Sequence, residues 1–246
     1  MKKSLILAAL SLAAGAHMPL ALAGEAAVQS IRAERAILLD AAQVGSDILA
    51  VGERGAVLRS SDSGKKWSRI MTPIDRTLSA IGFAKDQKVG VAVGHGGSVL
   101  RTEDGGATWA QVKLAEAGHD SLLGVTVLGN GTFLAYGAFG MYFESTDGGK
   151  SWARKTVVDD TFDRHISQVI ETGESALFLV AESGVLASSA DKGATWKRLK
   201  SPYEGSFFGV LKSADGALLI YGMRGNVFRS TDNGENWEKV ELGIKQ

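Results

Sequence analysis

Short apolar segments recur along the chain, and the whole pattern repeats about every 40 residues. The segments are rich in β-branched or aromatic residues and are bounded by glycine, which is typical of β-strands. In the first unit they cover residues 37–42, 47–51, 56–59 and 67–70. Each unit therefore predicts four antiparallel strands.

Four short strands repeated at this period are typical of the blades of a β-propeller. We predict an all-β fold with five four-stranded antiparallel blades over residues 37–246. Helical repeats of similar length would need long stretches with a 3.6-residue period, and only residues 25–35 are compatible with a short helix. We interpret that stretch as part of a leader segment, residues 24–36.

A polar motif of the pattern Ser/Thr-x-Asp-x-Gly-x-x-Trp, the Asp box, follows the third strand of every unit. Its aspartates are separated by 42, 43, 44 and 41 residues, and its tryptophans are all five of the chain. The Asp and Trp positions are Asp62 and Trp67, Asp104 and Trp109, Asp147 and Trp152, Asp191 and Trp196, and Asp232 and Trp237. We predict a structural role for all ten residues.

The residue types of the Asp box suit a tight turn between the third and fourth strands. An Asp carboxylate accepts hydrogen bonds from N–H groups of its own loop, and the Ser or Thr hydroxyl bonds locally. The glycine adopts positive φ at low cost, and the tryptophan buries a large apolar surface. A calcium loop is the alternative for residues 232–236, but the other four copies lack such ligands. We therefore predict no metal site and no cofactor.

The N-terminus predicts export. Two lysines precede an apolar run that ends in Ala21-Leu22-Ala23, a small-x-small cleavage site. Residues 1–23 are therefore predicted to be a signal peptide, and the mature chain to be periplasmic or secreted without direct membrane insertion. An uncleaved membrane anchor is the alternative, although His17 and Pro19 interrupt the run.

Composition narrows the function classes. Lys and Arg number 27, and Asp and Glu also number 27. The net charge therefore offers no general attraction for nucleic acid, and we predict no nucleic-acid partner. The chain has no cysteine, which excludes disulfides, thiolate metal sites and a cysteine nucleophile.

The Asp-box pattern also defines the bacterial neuraminidase repeat of sialidases and related propellers. The whole unit, from Val93-Gly94 through residues 99–106 to Trp109, more closely resembles the photosystem II stability and assembly factor family and its relatives in non-photosynthetic bacteria. This resemblance covers about residues 37 to 240. It implies a non-enzymatic scaffold or assembly factor that binds a protein partner, either a membrane-protein complex or an envelope transporter.

Members of that family usually carry six or seven blades, whereas this chain has five complete units. Two expectations stay open: a closed five-bladed ring, or a truncated propeller whose blades form an open arc. We favour the open arc. Because both ends contribute whole blades, we expect no strand exchange between them.

A sialidase-like glycoside hydrolase or a carbohydrate-binding propeller is the alternative function. A sialidase needs an arginine cluster, a Tyr nucleophile assisted by Glu, and an acid/base carboxylate. The Arg-Ile-Pro signature of that family is absent, and none of the four tyrosines lies beside an obvious Glu partner. We predict that the chain is not an enzyme and has no catalytic residues.

The candidate binding face carries the turns between second and third strands together with the loops that link the blades. These lie on the same face of a four-stranded meander, opposite the Asp boxes, and variable loops on a rigid scaffold commonly carry function. The candidate residues are Arg54, His95, Phe139, Glu182 and Arg224 on the turns, and Asp159, Asp160, Asp163, Arg164 and His165 on the longest interblade loop, residues 155–165.

Two sets of charged residues have alternative interpretations. The loop 155–165 is either an ordinary solvated loop or a site that ligates a cation or binds a basic partner.

Arg59, Arg101 and Arg229 precede the Asp box at equivalent positions of three units. Repetition favours a structural ion pair, and a cationic patch for a partner protein is the alternative.

Overall fold

The computed structural model describes residues 35–243. These residues form five antiparallel sheets of four strands each, and every sheet consists of four consecutive strands. The predicted all-β propeller with five four-stranded blades is confirmed. The predicted signal peptide, residues 1–23, and residues 24–34 of the predicted leader lie outside the described residues.

The strands follow one another in each blade in chain order. The first blade consists of β1 (Leu38–Val44), β2 (Asp47–Gly52), β3 (Val57–Ser60) and β4 (Ser68–Ile70). The second blade consists of β5 (Leu78–Phe83), β6 (Gly90–Gly94), β7 (Ser98–Thr102) and β8 (Ala110–Val112). The third blade consists of β9 (Leu122–Val127), β10 (Phe133–Gly137), β11 (Tyr142–Ser145) and β12 (Ala153–Arg154).

The remaining two blades have the same order. The fourth blade consists of β13 (Ile166–Glu171), β14 (Leu177–Ala181), β15 (Leu186–Ser189) and β16 (Lys197–Arg198). The fifth blade consists of β17 (Phe207–Lys212), β18 (Leu218–Gly222), β19 (Val227–Ser230) and β20 (Glu238–Lys239). Short 3₁₀ segments occur at Glu53–Gly55, His95–Gly97, Ala115–Ala117, Ala138–Gly140 and Met223–Gly225. Residues 35–243 contain no helix that is long and apolar enough to cross a membrane.

The hydrophobic core lies between successive blades. Side chains alternate along a strand, so a strand that is buried on both faces contributes to two interfaces. In β10, Phe133 and Ala135 pack with the second blade, and Leu134 and Tyr136 pack with the fourth. Within residues 35–243, four such clusters join the five blades. Burial of this apolar surface is the main stabilising contribution.

The inner strands β1, β5, β9, β13 and β17 pack side by side around the centre. Hydrogen bonds join some of them: Ile81 N–H donates to Asp40 Oδ2 at 2.9 Å, and Val210 N–H donates to Gln168 Oε1 at 2.8 Å. No comparable packing joins the fifth blade to the first within residues 35–243. The described blades therefore form an open arc, as favoured above.

Candidate functional site

The two ends of the blades have different neighbours. At one end the turns between second and third strands bind the interblade loops, since Gly140 N–H donates to the Arg164 carbonyl at 2.9 Å and Glu182 N–H to the His165 carbonyl at 2.9 Å. At the other end the Asp boxes bind the turns between first and second strands, as in the 2.8 Å bond from Lys192 N–H to the Ser175 carbonyl. We call these ends the turn face and the box face.

On the box face, each aspartate is bonded within its own turn. Asp191 Oδ1 accepts a bond from the Ser189 hydroxyl at 2.8 Å and another from Thr195 N–H at 2.8 Å, and its Oδ2 accepts from the Thr195 hydroxyl at 2.6 Å. The Thr195 hydroxyl and amide lower the pKa of Asp191 to about 2. These bonds hold the carboxylate ionised within its own turn.

The fifth box, interpreted above with a calcium loop as the alternative, has the same arrangement. Asp232 accepts bonds from the Ser230 hydroxyl at 2.7 Å, from Asn236 N–H at 2.9 Å and from Asn236 Nδ2 at 2.8 Å. Its carboxylate oxygens are therefore already hydrogen-bonded by protein groups. Among residues 35–243 no group of three or more His, Cys, Asp or Glu side chains is arranged to hold a metal ion.

The box glycines have a second role, which the sequence did not indicate. Gly149 has φ +81°, and a Cβ there would lie 2.6 Å from Val91 Cγ2 of the preceding blade. Gly234 has φ +90°, and a Cβ there would lie 2.5 Å from Phe178 Cε2. The absence of a side chain therefore lets the preceding blade approach the box closely, in addition to allowing the left-handed conformation.

Two of the three arginines that precede the boxes link one blade to the next. Arg59 Nη2 donates to the Gly105 carbonyl of the second box at 2.6 Å, and Arg101 Nε donates to the Gly148 carbonyl of the third box at 2.6 Å. Arg101 also forms an ion pair with Glu103 at 2.7 Å. Arg59 pairs with Asp47 at 3.7 Å and Arg229 with Asp215 at 2.6 Å, so the interpretation of the three arginines as ion-pair partners is confirmed.

On the turn face, the tips of the turns adopt the left-handed conformation even where the residue is not glycine. The φ angles are 54° at Arg54, 52° at Phe139, 56° at Ser183 and 58° at Arg224. Left-handed backbone costs a non-glycine residue about 1 kcal/mol. The blades therefore impose the orientation of these side chains.

Two of the candidates on these turns lie beside the tip. The residues at the tips of the second and fourth turns are Gly96 and Ser183, with φ 64° and 56°. His95 and Glu182 each lie one position earlier, where the turn begins. In all five turns the tip is the second residue after Gly52, Gly94, Gly137, Ala181 or Gly222, so these two candidates are the first residues of their turns.

Three of the ten candidate residues come together between the third and fourth blades. The rings of Phe139 and His165 are 5.1 Å apart and meet edge to face at 65°. Glu182 Oε2 lies 3.4 Å from His165 Nδ1 and accepts from His165 N–H at 3.3 Å. Phe139 is 56% exposed. We call these three residues the Phe139 cluster.

The other candidates of the loop 155–165 have local partners. Asp159 accepts bonds from Thr161 N–H at 2.9 Å and from the Thr161 hydroxyl at 2.7 Å. These bonds lower the pKa of the Asp159 carboxyl. Asp163 forms an ion pair with Arg164 at 3.5 Å, and Asp160 is exposed. The remaining turn candidates, Arg54, His95 and Arg224, are exposed on the first, second and fifth blades.

A further set of residues, missed in the sequence, surrounds the centre of the arc next to the turn face. Every inner strand has a β-bulge at its second residue, where the register with the second strand shifts. Such bulges redirect a side chain, here into the central hollow. The bulge residues are Leu39, Ser79, Leu123, Ser167 and Phe208. We call them the bulge ring; its three apolar members are exposed.

A family model for the photosynthesis system II assembly factor YCF48 matches residues 60–243. The chain belongs to this family. Its membership agrees with the resemblance inferred from the repeat unit. No curated protein matches the sequence.

Solved structures share the fold of this YCF48-family chain. YCF48 bound to a D1 peptide is 22% identical with a TM-score of 0.67, and the match covers 83% of this chain and 68% of that chain. YCF48 from Cyanidioschyzon merolae is 20% identical with a TM-score of 0.61, covering 82% and 68%. The GH74 xyloglucanase from Xanthomonas campestris is 18% identical with a TM-score of 0.62, covering 80% and 37%. At these identities the likeness shows the fold alone.

The carboxyl groups of this YCF48-family chain bear on the alternative role of a glycosidase. A general acid that works near neutral pH needs a raised pKa. Within residues 35–243, every carboxyl group whose pKa is shifted has a lowered pKa. These carboxyl groups belong to Asp62, Asp86, Glu103, Asp104, Asp147, Asp159, Asp191, Asp215 and Asp232. They are hydrogen-bonded, ionised carboxylates and do not suit the role of proton donor.

Proposed function

We propose that this YCF48-family chain is an exported, non-enzymatic propeller that binds a protein partner and helps to assemble a membrane-protein complex or transporter of the cell envelope. The observation that carries the proposal is the exposed Phe139 cluster on the turn face. Family membership supports the role of assembly factor. The predicted signal peptide supports action outside the cytoplasm.

The Phe139 cluster has the features of a protein-binding anchor. An exposed aromatic ring provides a large apolar contact at a small cost in side-chain entropy, and charged or polar groups around it form a rim. The cluster is also preorganised, because the Gly140 and Glu182 amides are bonded to the loop that ends at His165. A partner that binds there does not need to order the turn.

The bulge ring extends this surface towards the centre of the arc. Leu38 pairs with Gly52, the last residue before the first turn, so the neighbouring bulge residue Leu39 lies at the turn-face end of its strand. The other bulges have the same position. We propose that an extended segment of the partner places apolar side chains against Leu39, Leu123 and Phe208. The solved complex of a YCF48 with a D1 peptide supports this kind of partner.

The decisive experiment is recovery of a partner from detergent-solubilised membranes with the purified chain as bait. We expect one reproducible membrane protein, and we expect Phe139→Asp to lower its recovery about tenfold or more, because a central aromatic contact is removed. Lys150→Glu is the matched control, since Lys150 is 63% exposed on the box face. The amount of membrane protein that Lys150→Glu recovers should equal the amount that the wild type recovers.

Two outcomes would contradict the proposal. The first is that no membrane protein is retained at any detergent condition that preserves the fold. The second is that Phe139→Asp and Lys150→Glu retain the partner equally. Turnover of sialosides or polysaccharides by the purified chain would contradict its non-enzymatic part.

A further inference from the structure

The joint between successive blades consists of three recurring contacts. At two of the four joints the arginine before one box donates to a carbonyl of the next box, from Arg59 to Gly105 and from Arg101 to Gly148. A side chain of one second strand packs against the glycine of the next box, as Val91 does at Gly149. The third contact involves the glycine that follows each turn tip. In each of the first four blades a Cβ at this glycine would clash with the loop that leads to the next blade.

The fifth blade presents one half of this joint without its counterpart. Tyr221 and Leu211, on the side where a next blade would pack, are 44% and 48% exposed. Gly225 is exposed, and no described atom lies within 4 Å of a Cβ placed there. The equivalent glycines of the other four turns are buried. Arg229 forms an ion pair with Asp215 of its own blade at 2.6 Å.

The first blade presents the other half. Gly64 is the one box glycine of the five that is not buried. The described atom that lies within 4 Å of a Cβ placed at Gly64 is Trp67 Cζ2 of the same box, at 3.8 Å. Ser63 is exposed and precedes Gly64, so its carbonyl is equivalent to the Gly105 and Gly148 carbonyls that accept from Arg59 and Arg101.

We propose that the fifth blade binds the first blade of a second copy of this chain and forms between chains a joint like those between the first, second and third blades within each chain. Arg229 leaves Asp215 and donates to the Ser63 carbonyl of the second copy. Leu219 of β18, which occupies the position of Val91 and Phe178, covers Gly64. Both halves of the joint come from one sequence, and this selects a second copy as the partner. The contact is head to tail, so association produces dimers and longer chains or rings.

Crosslinking can test this arrangement cleanly, because the chain has no cysteine. We would introduce Asp215→Cys next to Arg229 and Lys65→Cys next to Gly64, singly and together, and treat each variant with a short bismaleimide. We expect dimers and higher species from the double variant, and dimers also from an equimolar mixture of the two single variants. Each single variant alone should stay uncrosslinked.

Crosslinked dimers of Asp215→Cys alone would indicate symmetric pairing of two fifth blades and would overturn the proposal. Absence of crosslinks in the double variant would overturn it as well.

Sedimentation velocity over a range of concentrations measures the same contact without crosslinking. We expect the wild type to associate, and Arg229→Glu to weaken association about tenfold or more, because a positively charged hydrogen-bond donor is replaced by a negatively charged acceptor that cannot bond to the carbonyl oxygen. Arg198→Glu, on the exposed outer strand β16 of the fourth blade, is the matched control and should associate like the wild type.

Circular dichroism and thermal unfolding check that both variants are folded. A wild type that stays monomeric, or an Arg229→Glu variant that associates like Arg198→Glu, would overturn the proposal. These experiments use the purified chain without any envelope partner. A result that contradicts self-association therefore leaves the proposed envelope function untouched.

Discussion

The box face and the turn face are made from the same repeat, yet they retain different residues. On the box face, all five copies keep the Asp, the Gly and the Trp, and these groups bond within the turn or against the preceding blade. On the turn face, the tips are Arg54, Gly96, Phe139, Ser183 and Arg224. The repeated chemistry stabilises the arc, whereas the varied side chains are available for recognition. Substitutions that separate stability from binding therefore test this division.

The largest effect is expected at a box glycine inside a joint. Gly149→Ala places a Cβ 2.6 Å from Val91 Cγ2 at a residue with φ +81°, and we expect a loss of about 3 kcal/mol in the free energy of unfolding. Gly64→Ala is the matched control: its φ is +85°, but the nearest described atom, Trp67 Cζ2, is 3.8 Å away. It should lose about 1 kcal/mol. If urea unfolding shows that both variants lose the same free energy of unfolding, Val91 does not pack closely against Gly149.

A smaller effect is expected from the arginines. The Arg101 side chain is 13% exposed and bonds to the third box, so Arg101→Ala should cost about 1–2 kcal/mol. The Arg229 side chain is 37% exposed and pairs within its own blade, so Arg229→Ala should cost less than about 0.5 kcal/mol at concentrations where the chain is monomeric. Chemical denaturation of both variants measures the difference. An equal cost would contradict the role of Arg101 between blades.

The pH dependence of stability tests the boxes together. The hydrogen bonds within their turns lower the pKa values of Asp191 and Asp232 to about 2, from an ordinary value of 3.8. A lowered folded pKa stabilises the fold above the unfolded pKa, and that stability is lost as the pH falls through the folded value. We expect the melting temperature to fall between about pH 4 and pH 2. Asp191→Asn should make that fall shallower, and an unchanged slope would argue against bonding of the ionised form.

The smallest effect on stability is expected at Phe139, where it should have the opposite sign. Phe139→Gly removes the cost of φ 52° for a side chain, so the free energy of unfolding should stay constant or rise by up to about 1 kcal/mol. Recovery of the membrane partner should nevertheless fall, as for Phe139→Asp. A variant that is destabilised and binds normally would place Phe139 with the structural residues.

The blade architecture could be predicted because it depends on local signals: strand-length apolar segments, glycine-bounded turns and the Asp box. Three features of the site depend on contacts between distant residues and could not be predicted in this way. Arg59 reaches a carbonyl 46 positions away, and Gly149 is constrained by a side chain of another blade. The bulge at Phe208 depends on the register between β17 and β18, which a single strand does not encode.

The Phe139 cluster illustrates the same limit. Its members are 17 and 26 positions apart, and only the packing of the third blade on the fourth brings them together. The sequence indicated that each residue belongs to the turn face. A signal for the bulge ring was present in the apolar second residue of three inner strands, Leu39, Leu123 and Phe208.

The open arc also determines where the chain should first lose structure. When units contact only their neighbours, stability is a sum of unit and nearest-neighbour contributions, and opening begins at the ends of the array. Within residues 35–243 the first and fifth blades have one joint each, while the third is two joints from either end. Amide hydrogen exchange should therefore be slowest in β10, so the blade that carries Phe139 is also the last to open.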